Sequence, residues 1–184
     1  MNKLTIIFIL LIAVGYYLPA VNVHLSFLGI TQTYDFSLPS LFEEEGAFGR
    51  LNLNESDLSE ILSESEVVQD ISQRIIISVV FYFLSLVFFV ASIILIIKKR
   101  VVFAIAANID ALICYSISAY AILSVPEKVA LALDDFLGIF ARFINTNEVL
   151  QIELASGFWI TLSAMGLMLI VQLLNFFIRR NHYE

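Results

Sequence analysis

The sequence predicts an all-α integral membrane protein: a bundle of four transmembrane helices, both termini cytoplasmic, topped by a small extracytoplasmic antiparallel β-sheet and short acidic helices. Three observations predict it. Of 184 residues, 60% are hydrophobic and only 15% are charged, against roughly 25% charged in an ordinary soluble domain; the mean hydropathy is +0.91. The apolar residues gather into four stretches close to the roughly 20 residues needed to cross about 30 Å of hydrocarbon. Six of the ten basic residues flank those stretches on one side while fifteen of the seventeen acids lie in the loops on the other, a bias that the positive-inside rule reads as orientation. A single membrane domain over 1–184 follows, with spans at 4–20, 75–97, 101–123 and 157–178 and outer loops at 24–74 and 124–156.

The first span, Leu4–Ala20, is the shortest. Met1-Asn2-Lys3 before an apolar run is also the opening of a signal peptide. Leu18-Pro19-Ala20 is a poor cleavage site, however, because Leu18 stands where a small residue is needed. Beyond it, Val21, Val23, Leu25 and Phe27 alternate with Asn22, His24 and Ser26. After Leu28-Gly29, a second run to Phe36 is rich in Thr and aromatics, with Ile30, Tyr34 and Phe36 on one parity. Period two on both sides of a two-residue link containing Gly reads as a β-hairpin. Glu148–Leu154 alternates in the same way and is expected to add a third strand, because a lone hairpin is marginal. The alternative is that it extends the fourth helix.

Between hairpin and second span, Leu38–Glu45 reads as a short helix with Pro39 in its first turn. Asn54–Gln69 reads as an amphipathic helix with Leu58, Ile61 and Leu62 on one face. In the second outer loop, Pro126–Ile144 is amphipathic: Leu133, Phe136, Leu137, Phe140 and Ile144 form a stripe that is a candidate partner-docking surface.

Orientation rests on charge. Lys3, Lys98, Lys99, Arg100, Arg179 and Arg180 flank the spans on one side, while fifteen of the seventeen acids lie in the two long loops on the other. Both termini and the Lys98–Arg100 turn are therefore expected in the cytoplasm, in a plasma membrane or a bacterial inner membrane. The acidic loops read first as a solvated face and second as a cation-attracting vestibule. No calcium-loop pattern accompanies them. Asn54-Glu55-Ser56 matches a glycosylation acceptor on the outer side.

Asp110 is the one charged residue inside a span. It lies ten residues past Arg100, about 15 Å deep and near the midplane. Such a residue is expected to face the bundle interior, bonded to Asn, Gln, Ser or Tyr groups. Asn108, Gln172 and Ser85 are the polar residues expected to form a cluster with it, whether as interhelical glue, as a proton or cation site, or at a partner interface. Ala104, Ala107 and Ala111 on the same helix allow close packing.

The totals exclude several classes. A net charge of −7 leaves no basic face for nucleic acid. One cysteine, Cys114, excludes an intramolecular disulfide and sites built on several thiolates. His24 and His182 are expected on opposite sides of the membrane. No GxSxG, HExxH or Ser/His/Asp arrangement occurs. No catalytic residue, metal ligand or cofactor is assigned.

The order helix, outer loop with hairpin, helix, tight basic turn, helix, outer loop ending in a strand, helix resembles the four-span plan of claudins and their relatives. The resemblance is one of topology over most of the chain. Claudins carry a W-GLW-C-C signature in the first outer loop, whereas the only Trp here is Trp159 and the only Cys is Cys114. The resemblance therefore implies architecture and no site residue. Leu18-Pro19 closing the first helix and Gly157-Phe158-Trp159 opening the fourth are also similar to small bacterial four-span proteins of unassigned function.

The expected function is that of a non-enzymatic accessory or scaffold subunit, whose partners are the lipid bilayer and either another membrane protein or a second copy. Two alternatives stand beside it. One is a small oligomeric transporter or channel with Asp110 in its path. The other is a surface-exposed immunity protein.

Overall fold

The structure is a computed structural model, and it describes residues 3–27, 30–41, 66–137 and 149–181. In chain order these form α1 (Lys3–Tyr17), β1 (Val21–Phe27), β2 (Ile30–Phe36), a short 3₁₀ turn (Pro39–Leu41), α2 (Glu66–Ile97), α3 (Val101–Leu123), α4 (Val125–Leu137), β3 (Leu150–Leu154) and α5 (Ser156–Asn181). Three helical stretches are long and apolar enough to cross a membrane: Gln69–Ile97, Val101–Leu131 and Ser156–Ile178. Lys3–Tyr17 is a shorter apolar helix.

The expected elements appear with some changes of boundary. α1 stops at Tyr17 rather than Ala20, because Pro19 disfavours helical backbone at Leu18 before it. α2 runs back to Glu66, so its first turns are continuous with the span rather than the tail of a separate 54–69 helix; residues 54–65 lie outside the described residues. Of the Leu38–Glu45 helix, only the turn Pro39–Leu41 lies among the described residues. Of the 126–144 helix, the described part is α4, ending at Leu137.

The β-hairpin and third strand are both present. β1 is central, flanked antiparallel by β2 and β3. Its register pairs Val21 with Phe36 and Phe27 with Ile30 on one side, and Val21 with Leu154 and Leu25 with Leu150 on the other. This register collects Val21, Val23, Ile152 and Tyr34 on one face and Asn22, His24, Glu153 and Thr33 on the other. Tyr34 is half-buried and Thr33 exposed, as a sheet with one packed face requires.

A ring of backbone hydrogen bonds fastens the sheet to one end of the bundle. Ala20 N–H donates to Phe36 O (2.8 Å), Ala155 N–H to Ala20 O (3.0 Å), Gly157 N–H to Pro19 O (2.9 Å) and Leu38 N–H to Tyr16 O (3.3 Å). The end of α1, the starts of β1 and α5 and the ends of β2 and β3 thus meet at one point. The approach is close enough to need glycine: a methyl on Gly157 would lie 2.5–2.7 Å from the carbonyl oxygens of Pro19, Leu18 and Gly15.

Within the bundle α1 packs on α5, α5 on α3 and α3 on α2. The α2–α3 contact is built from small residues. Ser78, Ser85 and Ser92 repeat every seventh position of α2, and Ala104, Ala107 and Ala111 line α3; all six are buried. Ser118 Oγ donates to Ser78 O (2.7 Å) and Ser92 Oγ to Ala104 O (3.0 Å). Small side chains let the backbones approach, and the hydroxyls bond across the seam, as is usual for helix pairs in lipid.

At the far end from the sheet, α2 and α3 are joined by Lys98–Arg100. Arg100 N–H donates to Leu95 O and Lys99 N–H to Ile96 O, with Lys99 at φ 58°. This is a Schellman cap with lysine in the left-handed position that glycine usually fills.

Candidate functional site

Aromatic side chains from each long helix and from α1 meet beneath the sheet. Tyr16 of α1 lies 5.4 Å from Tyr82 of α2 and 5.7 Å from Tyr115 of α3, both edge to face. Tyr115 stacks on Phe158 of α5 with centroids 5.0 Å apart and planes 9° from parallel. Phe89 lies 6.3 Å from Tyr16. Around this node gather Ile12, Ala111, Ala119, Ala164, Met165 and Met168. Tyr16 and Tyr115 are almost fully buried, so the node closes the space between the four helices. Aromatic pairs in these geometries add about 0.5–1.5 kcal/mol each beyond their burial.

The node also carries polar groups. The Tyr16 and Ser85 hydroxyls are 2.6 Å apart, and Ser85 Oγ lies 2.9 Å from its own helix at Tyr82 O. The hydroxyl of Tyr82 is buried with no hydrogen-bond partner among the described residues.

The residues expected to cluster with Asp110 do not share one site. Ser85 belongs to the aromatic node. Asn108 is fully buried and donates through Nδ2 to Met165 O at 3.3 Å, holding α3 to α5. Gln172 is buried on α5, and neither of its amide atoms has a partner among the described residues.

Asp110 corrects the expectation that it faces the bundle interior: it is exposed on the outward side of α3. The helical period explains why. Ala104, Ala107, Asn108, Ala111, Tyr115 and Ser118 occupy the interior stripe, and a residue two positions after Asn108 is turned by about 200° from it. The outward face reads Phe103, Ala106, Asp110, Ile113, Ile117, Tyr120, all exposed, at alternating steps of three and four. On insertion scales an aspartate at the centre of a membrane helix costs about 2.5–3.5 kcal/mol.

Of the candidate docking stripe, Leu133 is half-buried on α4. Phe136 and Leu137 belong to α4, but their side chains, like Phe140 and Ile144, lie outside the described residues. α4 is held against α2 by charge. Asp70 is 3.2 Å from both Arg74 Nε and Lys128 Nζ, and Arg74 donates to Ser124 Oγ at 2.6 Å. These groups are partly exposed, so solvent screens each pair and its contribution is small.

The polar face of the sheet holds a shallow, open hollow of about 430 Å³ lined by His24, Ser26, Thr31, Gln151 and Glu153. His24 Nδ1 is 2.9 Å from Thr33 Oγ1 and its Nε2 is 4.0 Å from Glu153. Among the described residues, no group of three or more His, Cys, Asp or Glu side chains is placed to hold a metal ion.

Sequence reading missed the aromatic node. Its signal was present: Tyr16, Tyr82 and Tyr115 are three of seven tyrosines, and each is a polar-tipped aromatic within an apolar helix. Periodicity does not say that they meet.

Fold and site together define a class: a mostly helical membrane protein whose bundle is capped by a three-stranded antiparallel sheet. Within that class, no known protein family, curated protein or solved structure matches this chain.

Proposed function

We propose that the chain is a non-enzymatic four-span membrane protein, both termini cytoplasmic, that serves as an accessory or scaffold subunit of a larger membrane assembly. It acts through its sheet cap and its outward helix faces. The observation that carries this reading is the division of the bundle. Its interior is filled by Tyr16, Tyr82, Phe89, Tyr115 and Phe158, while Asp110, the single carboxylate within 75–97, 101–123 and 157–178, is exposed on the other side of α3. A filled core favours a rigid scaffold over a path through one copy, and an outward Asp110 places chemistry where a neighbour can reach it.

In this reading α1 is the fourth span. Its 15 residues rise only about 22 Å, so the bilayer thins locally around it. Tyr17, Tyr120 and Trp159, all exposed at the sheet end, form the outer aromatic belt, and Lys98–Arg100 marks the cytoplasmic side. In a Cys114→Ala background, an impermeant maleimide should label Ser26→Cys on intact cells and Lys99→Cys only after permeabilisation. The reverse pattern would refute the orientation.

The accessory role is tested by gentle extraction from native membrane, cross-linking and mass spectrometry. A stoichiometric partner is the expected result. A monodisperse, partnerless protein that conducts by itself in liposomes would overturn it. The outward Asp110 also suits a second reading, an oligomeric channel whose path runs between copies. In that case Asp110→Asn abolishes liposome flux.

A further inference from the structure

We infer that the face of α3 centred on Asp110 docks a transmembrane helix of another protein, one that carries a lysine or arginine near mid-membrane. This rests on the accessory-subunit reading and names the chemistry of the partner.

Two observations coincide on this face. The first is spacing. Phe103, Ala106, Asp110, Ile113, Ile117 and Tyr120 are exposed and recur at steps of three and four, so they share one continuous face of α3 with Asp110 in its middle. Ala106, one turn from Asp110, leaves room for a neighbouring backbone to approach.

The second is charge. Asp110 makes no ion pair with any described residue. Residues 4–20, 75–97, 101–123 and 157–178 contain no Lys, Arg or His. Its nearest basic neighbours along the chain, Lys98–Arg100, lie about 15 Å away down the same helix, beyond side-chain reach. In the sequence the other basic residues fall outside 4–20, 75–97, 101–123 and 157–178.

Charge also selects among occupants. A second copy has the same orientation in the membrane. A parallel pair through this face would set Asp110 against Asp110 at the same depth, two acids without a cation. Lipid tails offer no hydrogen-bond donor, and headgroups do not reach this depth. A helix with a basic side chain at the matching level supplies both the opposite charge and the donors. A single polar position within an apolar seam also fixes the register of the pair.

The test uses the full-length protein in phosphatidylcholine vesicles, labelled on the sheet cap. It is mixed with fluorescent leucine-rich helical peptides of about 23 residues, long enough to span. The peptides are identical except for Lys, Leu or Glu at the centre. Energy transfer should show the Lys peptide associating about tenfold more strongly than the Leu peptide, on the scale of polar pairs between helices in lipid. The Glu peptide should bind no better than Leu. Asp110→Asn should erase the advantage of Lys, and Asp110→Lys should transfer it to Glu. Because Asp110 is outward, neither variant is expected to disturb the bundle, and an unchanged melting temperature checks this.

Equal binding of Lys and Leu peptides, or an advantage that survives Asp110→Asn, would overturn the inference. So would self-association through this face, read as energy transfer between two labelled copies that is lost in Ile113→Trp. Failure of the accessory-subunit reading shows separately, as the absence of any co-purifying protein from native membrane. A co-purifying partner that cross-links elsewhere and lacks a basic residue in its spans keeps that reading and refutes this one.

Discussion

Gly157→Ala should be among the most damaging single-methyl additions in this protein. The added carbon would lie 2.5, 2.6 and 2.7 Å from the carbonyl oxygens of Pro19, Leu18 and Gly15. Ordinary contact begins near 3.4 Å, so α5 must retreat from α1 by about 0.9 Å, and no rotamer change can relieve a clash with backbone. That retreat breaks the Gly157 N–H bond to Pro19 O, now 2.9 Å, and loosens the point where sheet and bundle join. Overpacking costs about 1–3 kcal/mol and the lost bond about 0.5–1.5 kcal/mol. Alanine's better helix propensity returns at most about 1 kcal/mol. The net loss is about 2 kcal/mol. Gly166→Ala, on the same helix, is the control: a methyl there meets nothing within 4 Å, and the change should stabilise by about 0.5–1 kcal/mol. The two variants should therefore melt about 5–12 °C apart, at about 2–4 °C per kcal/mol. The assay is thermal unfolding in mild detergent, read by fluorescence of Trp159, the only tryptophan. Melting temperatures within about 2 °C of each other would refute the close approach of α1 and α5.

Other substitutions probe the remaining joints. Lys99→Gly should stabilise by about 1 kcal/mol in the same melt, since glycine occupies the left-handed cap position without the penalty of a Cβ; a loss of stability would argue against the Schellman geometry. Tyr115→Ala should cost about 3–5 kcal/mol by emptying the centre of the aromatic node, whereas Tyr16→Phe, which removes only the bond to Ser85, should cost about 0.5–1.5 kcal/mol. Equal effects would mean that the node is not a packing centre. Asn108→Ala should cost about 1 kcal/mol through its bond to Met165 O, while Asp110→Asn should leave the melting temperature of the isolated protein unchanged. The opposite ranking would place Asp110 inside the bundle. Gln172→Met should raise stability, since it removes two buried polar atoms without partners; a marked loss would show that they are bonded.

The strands were legible in the sequence almost residue by residue, because a half-buried sheet writes its period of two directly into the chain. Val21–Phe27 and Ile30–Phe36 show it through Val21, Val23, Leu25 and Tyr34. The helix Val101–Leu123 was equally clear, bounded by Arg100 and Ser124. Helix ends were less so: Pro19 trimmed the first helix, and α2 continued past Asp70 and Arg74, whose partners Lys128 and Ser124 come from a distant part of the chain.

The sequence by itself determined that this is a membrane protein with long apolar helices and short strands of period two. All of these follow from composition and local period, which need no knowledge of neighbours. Only the tertiary structure decided which side of α3 is inside. Every face of a helix in lipid is apolar, so hydrophobic pattern cannot separate the stripe that meets other helices from the stripe that meets lipid. Small residues, shape and interhelical hydrogen bonds make that choice. Ser78, Ser92, Asn108 and Tyr115 turned inward together, and the same rotation carried Asp110 out.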